Sequence, residues 1–251
     1  MTRMIVSGCC GYMGRVIADI AKGDPDVSII AGFDIAGGNQ PCFPVFSAPA
    51  AFEGRADVVV DFSHPSALAP LLEFGASAKT PLVLCTTGYS DDEISAIENA
   101  ALEIPIFKSG NMSLGINLLA DLVKRAAAVL GDGFDVEIIE RHHNRKIDAP
   151  SGTALMLADA AAAAMQDEPE YVFERRSKSR RRGENEIGIS SVRGGTIVGE
   201  HEVIFAGLDE VVELRHTAAS RDVFAAGALR AAKFLAAVKT PGLYNMGDVL
   251  V

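Results

Sequence analysis

Two histidines and a lysine stand within five positions in the stretch Arg141-His142-His143-Asn144-Arg145-Lys146. Imidazole titrates near neutral pH, and an ammonium group can donate a proton or hold a carboxylate, so this spacing suits proton transfer to a bound anion. Downstream comes Pro150-Ser151-Gly152-Thr153-Ala154. Pro150 keeps the chain extended, Ser151 can cap a helix and Gly152 allows close approach. The free N–H groups of the first turn, with the Thr153 hydroxyl, would form a carboxylate site. An ordinary capped helix after a solvated turn is the plainer account of the same residues.

A second candidate site lies near the amino end, where Gly8-Cys9-Cys10-Gly11-Tyr12-Met13-Gly14 reads as G-x-x-G-x-x-G. Glycines there permit a tight turn and close approach to a pyrophosphate, and the N–H groups of the following helix face the anion. Twenty residues past Gly14, Asp34 ends the second apolar run, where a carboxylate can accept from both ribose hydroxyls of an adenosine. A tight strand-to-helix turn without a ligand would use the same glycines. Asp34 repels a 2′-phosphate and Ile35 adds no compensating cation, so NADH is expected to be preferred, or used alongside NADPH.

The elements that must carry these groups follow from the apolar patterning. Short runs at Met4–Ser7, Val27–Phe33, Val58–Phe62, Leu82–Cys85 and Ile104–Phe107 read as strands. Helical stretches alternate with them: Met13–Lys22, Leu68–Phe74 behind a capping Ser63-His64-Pro65, and one opened by Ser90 and Glu93 as a capping box. Such alternation predicts a mostly parallel sheet covered on both faces. After about residue 112 the rhythm changes. A helix runs from Ser113 towards Leu130, a strand at Val136–Glu140 leads into the histidines, and another helix starts near Ser151. Three further strands, Ile187–Val192, Ile197–Phe205 and Val211–Thr217, are separated by Gly194-Gly195 and Gly207-Leu208-Asp209, as in antiparallel hairpins. The expected fold class is therefore α/β, a Rossmann-like dinucleotide-binding domain plus an α+β domain with a mixed or antiparallel sheet. Periodicity leaves the last helix, Asp222–Val238, open to either part.

Composition narrows the function classes. The 251 residues are 49% hydrophobic and 22% charged, which excludes a disordered chain. A net charge of −10 repels nucleic acid and anionic membranes without excluding a small anion at a locally basic site. Cys9, Cys10, Cys42 and Cys85 form no CxxC pair, so neither a metal site nor a disulfide framework is expected. With no signal-peptide core and no membrane-length apolar run, a cytoplasmic location is expected. The basic run Arg175, Arg176, Lys178, Arg180, Arg181 and Arg182 reads as a solvated flexible loop, or as a loop that draws in an anionic substrate. His201 and His216 read as structural hydrogen-bonding residues, Asp61 as a strand-end polar contact, and His64 as a neighbour of the cofactor.

Several motifs, taken together, resemble the 4-hydroxy-tetrahydrodipicolinate reductase (dihydrodipicolinate reductase) family. They are GxxGxMG at 8–14, VDFS at 60–63, CTTG at 85–88, GNMSLGIN at 110–117, EIIERHHNRKIDAPSGTA at 137–154, GGTIVGEHEV at 194–203 and HTAASRDVFAAGA at 216–228. The likeness spans essentially the whole chain; the central motif is specific to the family and the glycine loop is not. The resemblance implies NAD(P)H-dependent reduction of a cyclic dicarboxylic imine, giving tetrahydrodipicolinate, in diaminopimelate and lysine biosynthesis. It assigns His142 as proton donor or acceptor, Lys146 as proton donor, His143 as a substrate contact, and Gly152 and Thr153 as binders of a substrate carboxylate. Gly8, Cys9, Cys10, Gly11, Tyr12, Met13 and Asp34 would hold the cofactor. Cys85, Thr86 and Thr87, with Ser109, Gly110, Asn111 and Met112, would line its nicotinamide end. The resemblance also implies a homotetramer, with residues 1–112 and 220–251 binding the dinucleotide and 113–219 binding substrate and forming the tetramer. Cys9, Cys10 and Tyr12 depart from the small residues and arginine common in relatives, and Cys85 stands where glycine is usual. A dinucleotide-sensing protein without turnover is the competing class, but it would have no need for His142 beside Lys146. A sugar or amino-acid dehydrogenase would share only the loop.

Overall fold

The computed structural model describes residues 1–40, 42–177 and 179–250; Lys178 of the basic run lies outside them. The chain forms two compact units, Met1–Ser113 with Asp222–Val251, and Leu114–Arg221. The first begins β1 (Thr2–Ser7), α1 (Tyr12–Lys22), β2 (Val27–Phe33), β3 (Gly38–Gln40), β4 (Phe43–Phe46), β5 (Val58–Asp61), α2 (Leu68–Ala78), β6 (Leu82–Leu84), α3 (Asp91–Ala100) and β7 (Pro105–Lys108). The second holds α4 (Leu114–Leu130), β8 (Asp135–His142), α5 (Gly152–Ala162), β9 (Glu170–Val172), β10 (Glu186–Arg193), β11 (Gly199–Ala206) and β12 (Val211–Ala218). The chain then returns to the first unit with α6 (Asp222–Ala237), β13 (Gly242–Tyr244) and α7 (Gly247–Leu250).

The first unit is Rossmann-like. Its sheet runs β13-β7-β6-β5-β1-β2-β4-β3, with neighbours parallel except β3 and β4. Consecutive residues of β1 and β5 are buried, as a sheet covered on both faces requires. One core joins Leu68, Leu71, Phe74 and Ile97 of α2 and α3 to Ile5, Val59, Leu82, Leu84 and Ile106 of the strands. The alanine-rich α6 packs against α1 and the central strands. The segment after β7 also lies close on α6 because position 227 is glycine: a Cβ on Gly227 would fall 1.7 Å from the Met112 carbonyl oxygen. The chain leaves β1 for β2 on one side and later returns to β5 on the other, so the carboxyl ends of β1 and β5 flank the point where open α/β sheets bind ligands.

Ser90 forms the expected capping box with Glu93. Ser63 does not cap; its hydroxyl bonds Asp61 Oδ1 at 2.5 Å, and His64 Nδ1 accepts from the Ser66 N–H at 3.2 Å instead. Strands β3, β4, β9 and β13 carry no strand signal in the sequence, because GNQ, FPVF, EYV and GLY are interrupted by glycine, proline or polar residues where β5, β6 and β7 have apolar runs.

The second unit has a mixed sheet, ordered β12-β11-β8-β10-β9. β8, β10 and β9 are parallel, and β11 is antiparallel to both β8 and β12. The hairpin expected across Gly194-Gly195 is not formed, because β8 lies between β10 and β11; only β11 and β12 make one. α4 and α5 cover one face, placing Ile116, Leu119, Val123, Leu157 and Ala161 on Val136, Ile138, Ile187, Val203 and Phe205. The basic run is exposed at Arg175, Arg176, Arg180 and Arg181, but three of its side chains are paired. Arg175 and Arg180 both pair with the buried Glu186, at 2.7 and 2.8 Å, and Arg182 pairs with Asp135 at 2.7 Å and Glu137 at 3.2 Å. These partners lie on β8 and β10, so the loop is fastened to its own sheet. Among the described residues no helix is long and apolar enough to cross a membrane.

Candidate active site

The buried face of β8 carries Val136, Ile138, Glu140 and His142 in alternation, the two-residue period of a strand. The first two join the apolar core; the last two carry charge chemistry to the end of the strand. β8 therefore runs two residues past its expected end, and His142 is its last residue rather than part of a turn. Arg193, the last residue of β10, stands beside it in register.

Glu140 is fully buried. Its Oε2 lies 2.6 Å from Nδ1 of His142. Arg193 donates to both carboxylate oxygens at 2.7 Å, and the Ser151 N–H donates to Oε1 at 3.1 Å. Burial alone would raise the Glu140 carboxyl, but the bonds from His142, Arg193 and Ser191 outweigh it and hold the group well below the usual carboxylate range. An ionised carboxylate only accepts, so Nδ1 of His142 carries a hydrogen and Nε2 is left for other chemistry. A Cβ at Gly199 would sit 3.1 Å from that Nε2. The His201 ring lies edge-on to His142, with centroids 5.1 Å apart. Burial first, and then His142, push His201 down to about 4, so it is neutral at pH 7.

Ser151 links this group to α5. Its hydroxyl accepts from the Ala154 N–H at 3.2 Å as the expected cap, and bonds His201 Nε2 at 3.0 Å. Gly152 and Thr153 open the helix, and a Cβ at Gly152 would meet nothing within 4 Å. In the preceding turn Lys146 pairs with Asp148 at 2.8 Å, while Arg193 also donates to the Asp148 carbonyl at 2.6 Å. His143 Nε2 accepts from Arg221 at 3.4 Å. Loss of hydration, with Arg221 and Arg145 nearby, lowers its pKa. The turn is tied down by the Gly194 N–H on the His142 carbonyl, 2.9 Å, and the Asn144 N–H on the Gly195 carbonyl, 3.3 Å. Thus His142, Ser151 and the start of α5 meet on one carboxylate, and Lys146 joins them through Asp148 and Arg193.

The glycine loop of the first unit has the form a pyrophosphate needs. Gly8 has φ +74°, and a Cβ there would meet the Phe62 carbonyl oxygen at 2.6 Å. A Cβ on Gly14 would fall 2.2 Å from the Gly8 oxygen, so only glycine lets α1 start against the loop. Asp34 Oδ2 accepts from the Cys10 N–H at 2.9 Å and Oδ1 from the Ala36 N–H at 3.0 Å. This places the carboxylate beside the loop, at the end of β2. Cys9 packs on Gly32, and burial together with Cys10 pushes its thiol up to about 12. Among the described residues, Cys9, Cys10 and Asp34 form the one group spaced like metal ligands. Tyr12 is exposed and Met13 half-buried.

At the ends of β6 and β7 a cavity of about 200 Å³ is bounded by Thr86, Thr87, Tyr89, Lys108, Ser109 and Gly110. The buried Asp61 supports it by accepting from Thr86 Oγ1 at 2.6 Å. Cys85 next to it is held as a thiol by burial and by Asp61. Asn111 Oδ1 accepts from the Ser113 N–H at 2.8 Å, Ser109 donates to the Asn111 carbonyl at 2.9 Å, and Met112 is buried. The loop, Asp34 and these two turns fit a nicotinamide dinucleotide in their donors and acceptors.

Glu140 and Arg193 were not recognised from the sequence. Glu140 was detectable, since its period-two spacing from Ile138 and His142 marks a carboxylate on a buried face. Arg193 carries no local signal.

The description Dihydrodipicolinate reductase, N-terminus, matches residues 2–112, and Dihydrodipicolinate reductase, C-terminus, matches residues 115–250. The chain is 53% identical over 251 residues to the 4-hydroxy-tetrahydrodipicolinate reductase of Caldanaerobacter subterraneus subsp. tengcongensis, covering 100% of this chain and 98% of that protein. It is 48% identical over 250 residues to the protein of the same name from Clostridium tetani, covering 100% and 97%. In structure it is similar to dipicolinate-bound dihydrodipicolinate reductase from Paenisporosarcina sp. TG-14, with TM-score 0.78 and 23% identity over 98% of this chain and 97% of that one. A probable dehydrogenase from Thermotoga maritima shares the fold, with TM-score 0.62 and 13% identity over 98% and 92%. With both halves matched in order and relatives alike along their whole length, the chain belongs to the dihydrodipicolinate reductase family, oxidoreductases that use a nicotinamide dinucleotide.

Proposed function

We propose that this chain reduces 4-hydroxy-tetrahydrodipicolinate to tetrahydrodipicolinate with NAD(P)H, in diaminopimelate and lysine biosynthesis. The observation that carries this reading is His142 held by the ionised Glu140 at the mouth of α5. That arrangement sets a proton-carrying ring beside backbone N–H groups suited to a carboxylate.

The backbone of Gly8, Cys9, Cys10, Gly11, Tyr12 and Met13 holds the pyrophosphate, and Asp34 holds the adenosine ribose. Cys85, Thr86 and Thr87, with Ser109, Gly110, Asn111 and Met112, line the nicotinamide end. The nicotinamide, when bound, supplies a hydride to an electron-poor carbon of the substrate. Gly152 and Thr153 bind one substrate carboxylate, and His143 contacts the ring. Lys146 donates a proton next to the carbon that accepts the hydride, and His142 donates or accepts the proton that moves as water is lost. The cations beside the site offset the desolvation of a dianion.

NADH is preferred, or used alongside NADPH, because Asp34 stands where a 2′-phosphate would fall. Two such charges near 4 Å repel by up to about 4 kcal/mol at an effective dielectric near 20, before solvent screening. The family likeness supports a cytoplasmic homotetramer, with residues 113–219 binding substrate and forming the tetramer and 1–112 with 220–251 binding the cofactor.

The test mixes the full chain with NADH and enzymatically generated 4-hydroxy-tetrahydrodipicolinate and follows nicotinamide absorbance. Stoichiometric NADH oxidation, competed by dipicolinate, is expected. No oxidation above the enzyme-free rate contradicts the assignment.

A further inference from the structure

Three parts of the second unit that are apart in sequence end on one buried carboxylate. The end of β8 reaches Glu140 through His142 Nδ1 at 2.6 Å. The start of α5 reaches it through the Ser151 N–H at 3.1 Å. The turn that carries Lys146 reaches it through Arg193, which clasps Glu140 with both terminal nitrogens at 2.7 Å and donates to the Asp148 carbonyl at 2.6 Å. Asp148 is in turn the ion-pair partner of Lys146, at 2.8 Å. Glu140 is fully buried and the Arg193 side chain mostly so.

Such a pair is a poor source of net stability, since both ions lose their water on burial. Its geometry gives it another use. A carboxylate on Nδ1 fixes both the tautomer and the rotation of an imidazole, so that Nε2 is presented in one direction. A guanidinium that holds both carboxylate oxygens prevents the carboxylate from rotating. We propose that Glu140 and Arg193 are a positioning pair: they hold His142 with its hydrogen on Nδ1 and Nε2 free for the reaction, and they fix the Lys146 turn and the first turn of α5 to the same point. The roles of His142 and Lys146 rest on the function proposed above; the tautomer and the clasp do not.

Positioning and plain structural support differ in what a variant loses. Arg193→Ala is expected to lower kcat by ~10²-fold, the scale of a small misplacement of catalytic groups, with KM for the substrate within threefold of wild type. Millimolar guanidinium should restore at least tenfold of that loss in Arg193→Ala while leaving wild type unchanged. If Arg193→Ala does not fold, Glu140→Gln decides, with the same expected drop in kcat at near-constant KM. Independently of turnover, nitrogen NMR of the histidine-labelled chain at alkaline pH, assigned with His142→Asn, should show His142 as the Nδ1–H tautomer. A kcat within threefold of wild type in the folded variant contradicts the proposal. So does a folded Arg193→Ala whose lost activity guanidinium leaves unrestored, and so does an Nε2–H tautomer at His142. An inactive wild type would instead remove the proposed function, and the tautomer would then decide the pair alone.

Discussion

His201 on β11 stands directly across from Glu140 on β8; burial disfavours the charged form of both, yet only one of them is neutral. Glu140 stays ionised because His142 and Arg193 bond it, whereas the His201 ring is pushed down to about 4 from 6.5 and stays neutral. On acidification from pH 6.5, the unfolded chain gains a proton at this histidine before the folded one does. Folding stability therefore falls as pH drops from about 6.5 to about 4, by about 3 kcal/mol from this group. His216, also lowered by burial, acts in the same direction. Glu140 contributes stability above pH 4.5 that is lost below it. Denaturant unfolding of His201→Gln should show a smaller loss of stability between pH 6.5 and 4.5 than wild type. An equal loss in both would show that His201 is not the buried neutral ring described.

Asp34 meets the glycine loop through the Cys10 N–H, so in the proposed cofactor site its charge would face the adenosine ribose. Wild type should give a higher kcat/KM with NADH than with NADPH, or nearly equal values. Asp34→Ser should move the ratio towards NADPH by about tenfold, equivalent to 1.4 kcal/mol. A tenfold or greater preference for NADPH in wild type would rule out the repulsion argument.

Gly14 packs against the Gly8 carbonyl, leaving no room for a Cβ. Gly14→Ala should weaken NADH binding at least tenfold, read from the fluorescence of the bound nucleotide. Gly133→Ala, where a Cβ meets nothing within 4 Å, is the control and should bind as wild type does. Equal affinities in the two variants would count against the loop as the pyrophosphate site.

Thr153 enters the proposed mechanism as a binder rather than a proton donor. Thr153→Val should raise the dissociation constant for dipicolinate by about tenfold, the scale of a hydrogen bond to a charged group, while kcat at saturating substrate stays within fivefold. Calorimetric titration that gives wild-type affinity would remove Thr153 from the carboxylate site.

What the sequence revealed, and what it hid, follows from the range of the interactions. Gly8, Gly14 and Ser151 were legible because a tight turn or a helix cap constrains residue type within a few positions. The parallel first sheet was legible from alternating strands and helices. Arg193 was not, because it meets Glu140 through the pairing of β8 with β10, 53 residues away. Local spacing suggested that β10 and β11 form a hairpin, and nothing nearby shows that β8 is inserted between them. The anchoring of the basic run was hidden for the same reason: the acids that bind Arg175, Arg180 and Arg182 include Glu137 and Asp135 on a strand far earlier in the chain.

The central claim is that His142 and Lys146 move protons during reduction and do more than hold substrate. Its most direct test is single-turnover reduction of 4-hydroxy-tetrahydrodipicolinate at saturating substrate and NADH, comparing wild type with His142→Ala and Lys146→Ala. Each substitution is predicted to slow the turnover by ~10²-fold or more, the usual scale for an acid–base group. A loss smaller than fivefold in either variant would contradict the role given to that residue.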